Sequence, residues 1–308
     1  MGTAYEIQLL GHVPDQQELL EAIEEELAAI DREMSTWRED SDISRFNANP
    51  GDTAFPVPGR LLEVVDAAQR LSAATDGALD ITLMPLALAW GFQGADMPGV
   101  PDPETLAQLR EVTGMHTIQL SVESATLSKQ HPGVMLDVSA LAKGYAVDQL
   151  ARLLLDRGFQ HFMVEIGGEV RALGERPGGG PWRIAVELPG GEEPGDEQDS
   201  RHFIELQNHA VASSGDYRNY FMLDGTRYGH VLDPTTLRPA DFGAAAATVI
   251  ADDTITADAL ATAFLAVPRE RAFRLARELD VELLVVSRGA DGGLEQHKSP
   301  GFNLLQLP

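Results

Sequence analysis

Apolar positions recur with a helical period early in the chain. Across residues 15–34, Leu20, Ile23, Leu27, Ile30 and Met34 share one face and acids fill the other, which predicts an amphipathic helix after a first strand at 5–10. Leu61, Val64, Val65, Ala68 and Leu71 give a second helix over 58–74 with proline at its first position, and Asp102 caps a third over 103–112. Residues 35–47 carry no clear period and read as an ordered loop. From 117 the alternation is that of strands. A hairpin fits 117–121 and 125–128, and a strand at 134–138 runs into a helix over 139–157 that Gly158 stops. Further strands fit 161–166, 182–188, 202–206 and 217–223. The last turns at Asp224-Gly225 into 227–232, the strongest hairpin signal in the chain. A strand at 244–251, helices at 256–266 and 268–279 and a strand at 281–287 complete the pattern. There is no internal repeat and no strict β-α-β alternation, so the predicted class is α+β. A helix-rich part to about residue 115 and a sheet-rich part from 116 to 308 form a soft division.

Composition narrows the function. Of 308 residues, 48 are acidic and 23 basic, for a formal net charge of −25. Such a surface repels phosphate backbones and anionic lipid, so no nucleic-acid or membrane-surface partner is expected, and a polyanionic ligand would need a local cation. Lys129, Lys143 and Lys298 are the only lysines. The absence of cysteine excludes disulfides, thiolate metal sites and a cysteine nucleophile, and leaves the redox compartment open. No apolar run approaches the roughly 20 residues of a membrane-spanning helix. The opening Met-Gly-Thr-Ala-Tyr lacks the basic start and apolar stretch of an export signal, so either the protein is cytoplasmic or an export segment has been removed. Residues 189–200, with their glycines and acids, read as a solvated loop.

Several segments could carry chemistry. In Leu136-Asp-Val-Ser-Ala-Leu-Ala-Lys-Gly-Tyr-Ala-Val-Asp148 a strand ends in a carboxylate and a helix begins at once. Its N-terminal N–H groups suit a phosphate, with Lys143 one turn in and Gly144 allowing close approach; alternatively Asp137 or Ser139 simply caps the helix. Asp258 and Thr262 lie four apart on an apolar helix, where a hard cation would offset the cost of a buried carboxylate. The hairpin pairing of 213–221 with 228–234 could bring His230 to a site shared with Ser214 or Arg218, as a general base or as a packed sheet histidine. Between Thr75 and Phe92, Gly77 marks a tight turn and Trp90-Gly-Phe92 an aromatic corner, best read as core. Val164-Glu-Ile-Gly-Gly-Glu169 is a strand-to-glycine turn, not a dinucleotide fingerprint, because the third glycine and following helix are missing.

Taken in order, these segments resemble the ApbE family of flavin:protein FMN transferases. The resemblance rests on Met-Gly-Thr at 1–3, Met-Ser-Thr-Trp and Ser-Arg-Phe-Asn within 34–47, Asp-Gly-Ala-Leu-Asp at 76–80 and Leu-Asp-Val-Ser-Ala-Leu-Ala-Lys-Gly-Tyr-Ala at 136–146. It continues through Glu-Ile-Gly-Gly-Glu at 165–169, Ser-Gly-Asp-Tyr-Arg-Asn at 214–219, Tyr-Gly-His-Val-Leu-Asp-Pro at 228–234 and Asp-Ala-Leu-Ala-Thr at 258–262. It implies a single domain of two parts, with mixed and antiparallel sheets, flanking helices and an FAD cleft between the parts. The implied reaction cleaves FAD, moves FMN onto a threonine hydroxyl of an acceptor protein and releases AMP, with Mg²⁺ required. Carried over by motif, the metal ligands are Asp258, Thr262 and the Ala140 carbonyl. FAD contacts come from Met1, Trp37, Ala78, Leu79, Asp80, Asp137, Lys143, Val231 and Leu232, and His230 is the base. Acceptors of such enzymes include subunits of sodium-pumping NADH:quinone reductase and Rnf-type complexes. The resemblance also implies a place on the periplasmic face of the bacterial inner membrane, since such relatives are commonly exported and lipid-anchored. Gly229 stands where the family often has serine, Leu237 where a glycine often closes the turn, Ala261 where some members are acidic, and Lys143 where some relatives have glutamate. The same site would also serve a Mg²⁺-dependent FAD pyrophosphatase, and a flavin-binding protein without turnover is the reading from another class.

Overall fold

A computed structural model describes residues 2–51, 53–93, 99–186, 189, 202–216, 219–289 and 293–306. They form two compact units that interleave in sequence. One takes 28–142 and 218–240; the other takes 2–27, 143–217 and 241–308. The boundary is therefore not one cut near residue 115. The strands Ile118–Ser121 and Thr126–Lys129 pair with each other and lie against the helix Gly59–Ala74, so they stay with the helices whose apolar faces they cover.

The α+β class holds. The second unit is built on a seven-stranded antiparallel sheet in the order Tyr5–Leu9, Phe162–Ile166, Glu169–Leu173, His209–Gly215, Ala244–Ala251, Glu282–Arg288, Leu294–Lys298. Alternation explains the outer members: Phe162, Val164 and Ile166 are buried while Met163 and Glu165 are less so. The strand Ala244–Ala251 is nearly all buried, and its run of alanines lets the helix Thr254–Leu265 settle closely on it. That helix is apolar almost all round and capped by Asp253, whose carboxylate accepts the Thr256 N–H. A smaller sheet of Trp182–Val186, His202–Leu206 and Leu305–Gln306 packs Trp182, Ile184, Val186, Ile204 and Leu206 into one cluster with Val170, Val211 and Leu284.

Three strands of the large sheet escaped the pattern reading. Glu169–Leu173 begins directly after the Gly167-Gly168 turn, where both glycines have positive φ, so the expected strand-to-glycine turn is a tight hairpin. His209–Gly215 and Leu294–Lys298 are too polar, or too rich in small residues, to show a period of two. The expected strand at 217–223 begins at Tyr220, and the expected strand at 182–188 is described only through Val186. Most of 189–200 lies outside the described residues.

In the helix-bearing unit, the expected loop at 35–47 contains the helix Asp42–Ala48. Ser41 caps it by accepting the Ser44 N–H at 3.1 Å, and Ile43 and Phe46 are buried; two turns are too short for a period to register. Residues 134–138, expected as a strand, form no ladder. Leu136 instead bonds through both its N–H and its carbonyl to the Asn47 side chain at 2.7 and 2.9 Å, so one amide side chain stands in for a neighbouring strand. The Lys129 ammonium braces this corner by donating to the carbonyls of Asn47 and Val134. Leu237 has φ of +59°, in the left-handed region that favours glycine; its side chain is buried beside Trp90, whose indole N–H donates to the Leu237 carbonyl.

The helices Ser139–Asp156 and Thr254–Leu265 meet at Gly144. A Cβ there would stand 2.4 Å from the Thr254 carbonyl oxygen, a backbone atom that cannot swing aside. Gly144→Ala should therefore lower stability by about 1–3 kcal/mol, read from thermal or denaturant unfolding, and an unchanged midpoint would show that the helices part freely.

Candidate active site

Most of the expected flavin-contact residues fall in the helix-bearing unit. Trp37 follows the first long helix with 82% of its surface exposed, whereas Trp90 and Trp182 are buried. Gly77 and Asp76, both at positive φ, turn the chain so that Ala78 and Leu79 are buried and Asp80 follows. Asp80 accepts from the Thr82 N–H and hydroxyl, and burial still holds its carboxyl above the usual range. The Asp137 N–H donates to the Ile81 carbonyl at 2.8 Å, tying the Ala78–Asp80 turn to the entry of the Ser139–Asp156 helix. Asp137 accepts the Ser139 N–H on Oδ1 and the Gln93 amide on Oδ2, so it does cap the helix, and Ala140 lies in the first turn beyond it.

His230 follows the hairpin Tyr220–Leu223 and Thr226–Gly229. An aromatic row fixes that hairpin: Trp90 to Tyr228 at 5.6 Å, Tyr228 to Phe221 at 5.1 Å and Phe221 to Phe92 at 5.3 Å between centroids. His230 Nδ1 lies 3.1 Å from the Asn219 carbonyl, an acceptor only, so this contact calls for a hydrogen on Nδ1. Val231 and Leu232 are buried just after it, and the Val231 carbonyl accepts from Ala240. Ser214, expected near His230, belongs to the sheet unit, and Arg218 and Met1 lie outside the described residues.

Lys143, Asp258 and Thr262 lie in the sheet unit. Asp258 is 2% exposed, and its Oδ2 accepts the Gly144 N–H at 2.9 Å. A regular helix would aim that N–H at the Ala140 carbonyl four residues back. Thr262, one turn along from Asp258, shares a hydrogen bond with the Ser214 hydroxyl at 2.9 Å. Lys143 pairs with Glu169, which is 1% exposed. Burial works to lower the Lys143 pKa, but the carboxylates of Asp258, Glu169 and Glu165 outweigh it and hold the ammonium above its ordinary value. Burial drives both Asp258 and Glu169 upward. Glu169 was absent from the expected site residues. Its signal was its place directly after the Gly167-Gly168 turn, where the hairpin aims its side chain at Lys143.

Among the described residues no three His, Cys, Asp or Glu side chains are arranged to hold a metal. Within the sheet unit, Asp258 and Thr262 instead offer a carboxylate and a hydroxyl one helical turn apart. These oxygen donors suit a hard cation that keeps part of its water, and a bound cation would offset the burial that drives the Asp258 carboxyl upward. The residues present fit Mg²⁺.

The ApbE family model matches residues 1–285. The chain belongs to the ApbE family. It is 39% identical to the FAD:protein FMN transferase of Vibrio cholerae over 305 residues, covering 98% of this chain and 89% of that protein. It is 38% identical to the enzyme of the same name from Haemophilus influenzae over 312 residues, covering 99% and 89%. Among solved structures it is similar to the flavin transferase ApbE from Vibrio cholerae, with a TM-score of 0.87, 38% identity and coverage of 98% and 95%. The apo flavinyl transferase ApbE of Pseudomonas stutzeri gives a TM-score of 0.86 at 36% identity, covering 97% and 91%.

The ApbE helix that carries Asp258 and Thr262 is held at its start by Asp148. That carboxylate accepts the N–H of Thr254 at 2.9 Å and of Ile255 at 2.9 Å. Asp148→Ala should cost about 1–3 kcal/mol in denaturant unfolding, because buried amide donors lose their acceptor. A midpoint equal to the wild type would show that water replaces it without loss.

Proposed function

We propose that the chain transfers FMN from FAD to a threonine hydroxyl of an acceptor protein and releases AMP, with Mg²⁺ held by Asp258, Thr262 and the Ala140 carbonyl. The observation that carries this reading is the buried Asp258 carboxylate, fixed by the Gly144 N–H on a helix whose next turn brings Thr262. Family membership and the names of its relatives support the reaction class.

When bound, Mg²⁺ supplies positive charge against the diphosphate and stabilises the charge that develops on its oxygens. The Gly144 N–H is engaged by Asp258, which supports the Ala140 carbonyl as the third protein oxygen. Lys143 adds a fixed positive charge for a non-bridging phosphate oxygen. The exposed indole of Trp37 offers an open face to a flat ring system. Asp137 and the Ala78–Asp80 turn, joined through Ile81, form a rigid polar edge for the nucleotide. His230 Nε2 takes the proton of the threonine hydroxyl as its oxygen bonds to the FMN phosphorus. The bond from that phosphorus to the bridging oxygen breaks, and the bridging oxygen leaves with AMP. An acceptor in a membrane electron-transfer complex and a periplasmic location belong to the same proposal and draw their support from the motif resemblance.

The deciding experiment incubates the chain with FAD, Mg²⁺ and a candidate acceptor and looks for covalently bound flavin. AMP released without protein-bound flavin would point to pyrophosphatase activity, and no AMP at all to flavin binding without turnover. Asp258→Ala should abolish Mg²⁺-dependent AMP release. His230→Ala should slow transfer about 10²–10⁴-fold, and a wild-type rate would remove it from the mechanism.

A further inference from the structure

Three carboxylates lie close enough to act on the Lys143 ammonium: Asp258, Glu169 and Glu165. Two of them have other work. Asp258 Oδ2 accepts the Gly144 N–H at 2.9 Å, and Glu165 Oε1 accepts the Gly168 N–H at 2.6 Å across the hairpin turn. Glu169 takes the ammonium itself through Oε1. Its other oxygen, Oε2, is buried with no hydrogen-bond partner among the described residues. A buried carboxylate with an orphan oxygen is costly, and no local backbone need accounts for it. Glu169 has no solvent to retreat into, and the two-residue turn before it fixes its strand. Lys143, by contrast, is a flexible four-carbon stem with about a third of its side chain exposed.

We propose that Glu169 is a positioning residue that parks the Lys143 ammonium away from Asp258, and so keeps Asp258 open to the divalent cation. The inference rests on the proposed cation site. Asp258 already exerts the largest carboxylate pull on Lys143, yet the ammonium bonds Glu169; without that partner it would be drawn onto Asp258, where it competes directly with a metal ion. Glu169 therefore acts on the metal through Lys143 and not through its own field, which sets this role apart from that of any nearby negative charge.

A double-mutant cycle on the full chain separates the two, with Mn²⁺ as the probe and its unbound fraction read by electron paramagnetic resonance, no flavin present. Glu169→Gln should weaken Mn²⁺ binding about tenfold. In the Lys143→Met background the same Glu169→Gln change should shift the affinity less than twofold, because nothing is left to swing onto Asp258. An equal tenfold loss in both backgrounds, or no loss in either, overturns the proposal. Glu169→Asp keeps the charge but shortens its reach and should give a smaller loss, again only when Lys143 is present; circular dichroism and melting check that each variant is folded. Asp258→Ala tells the two readings apart. If Mn²⁺ binds that variant as tightly as the wild type, the cation site itself is wrong and this inference falls with it. If binding is lost there but Glu169→Gln is silent, only the positioning role fails.

Discussion

A glycine in mid-helix normally weakens the helix, yet the setting of Asp258 turns on one. Gly144 has no side chain, so the Ser139–Asp156 helix can approach the backbone of Thr254 and Ile255 more closely than any other residue would allow. That approach lets one helix donate an amide to a carboxylate of the other. The N–H of Gly144 then orients Asp258, while Asp148, one turn further along the same helix, holds the first amides of the facing helix. The same contact explains why a carboxylate is tolerated in so apolar a setting: it is matched by an amide and drawn on by a lysine, and it remains short of full compensation.

The electrostatic character follows from scarcity. A chain with formal net charge −25 and three lysines places Lys143 among buried acids and Lys129 against backbone carbonyls. Neither is a diffuse patch that would attract polyanions in general. The charge of these two lysines is local and held in place by named partners.

Long elements were legible because their periods extend over several turns. The helix Gln16–Met34 and the strand Ala244–Ala251 came out close to their expected bounds. The helix Asp42–Ala48 and the pairing of Leu136 with Asn47 did not, since the first is too short to show a period and the second depends on a side chain 89 positions away. The spacing that puts Asp258 and Thr262 on one helix face was legible in the sequence, and the structure carries both on the helix Thr254–Leu265. Glu169 could not, because its meaning comes from Lys143, 26 positions earlier and on another element. The capping role of Asp137 was visible as one of two alternatives, and the structure shows it to be real without removing the other.

The interleaving of the two units constrains how the molecule is made. As the nascent chain leaves the ribosome, residues 28–142 emerge long before 218–240, which complete their unit, and residues 143–217 wait for 241–308, which bring the strand Ala244–Ala251 and the Asp258 helix. Neither half can finish as a local event, so closure must span long stretches of intervening chain. A gene split at any boundary between these segments would leave at least one unit in pieces.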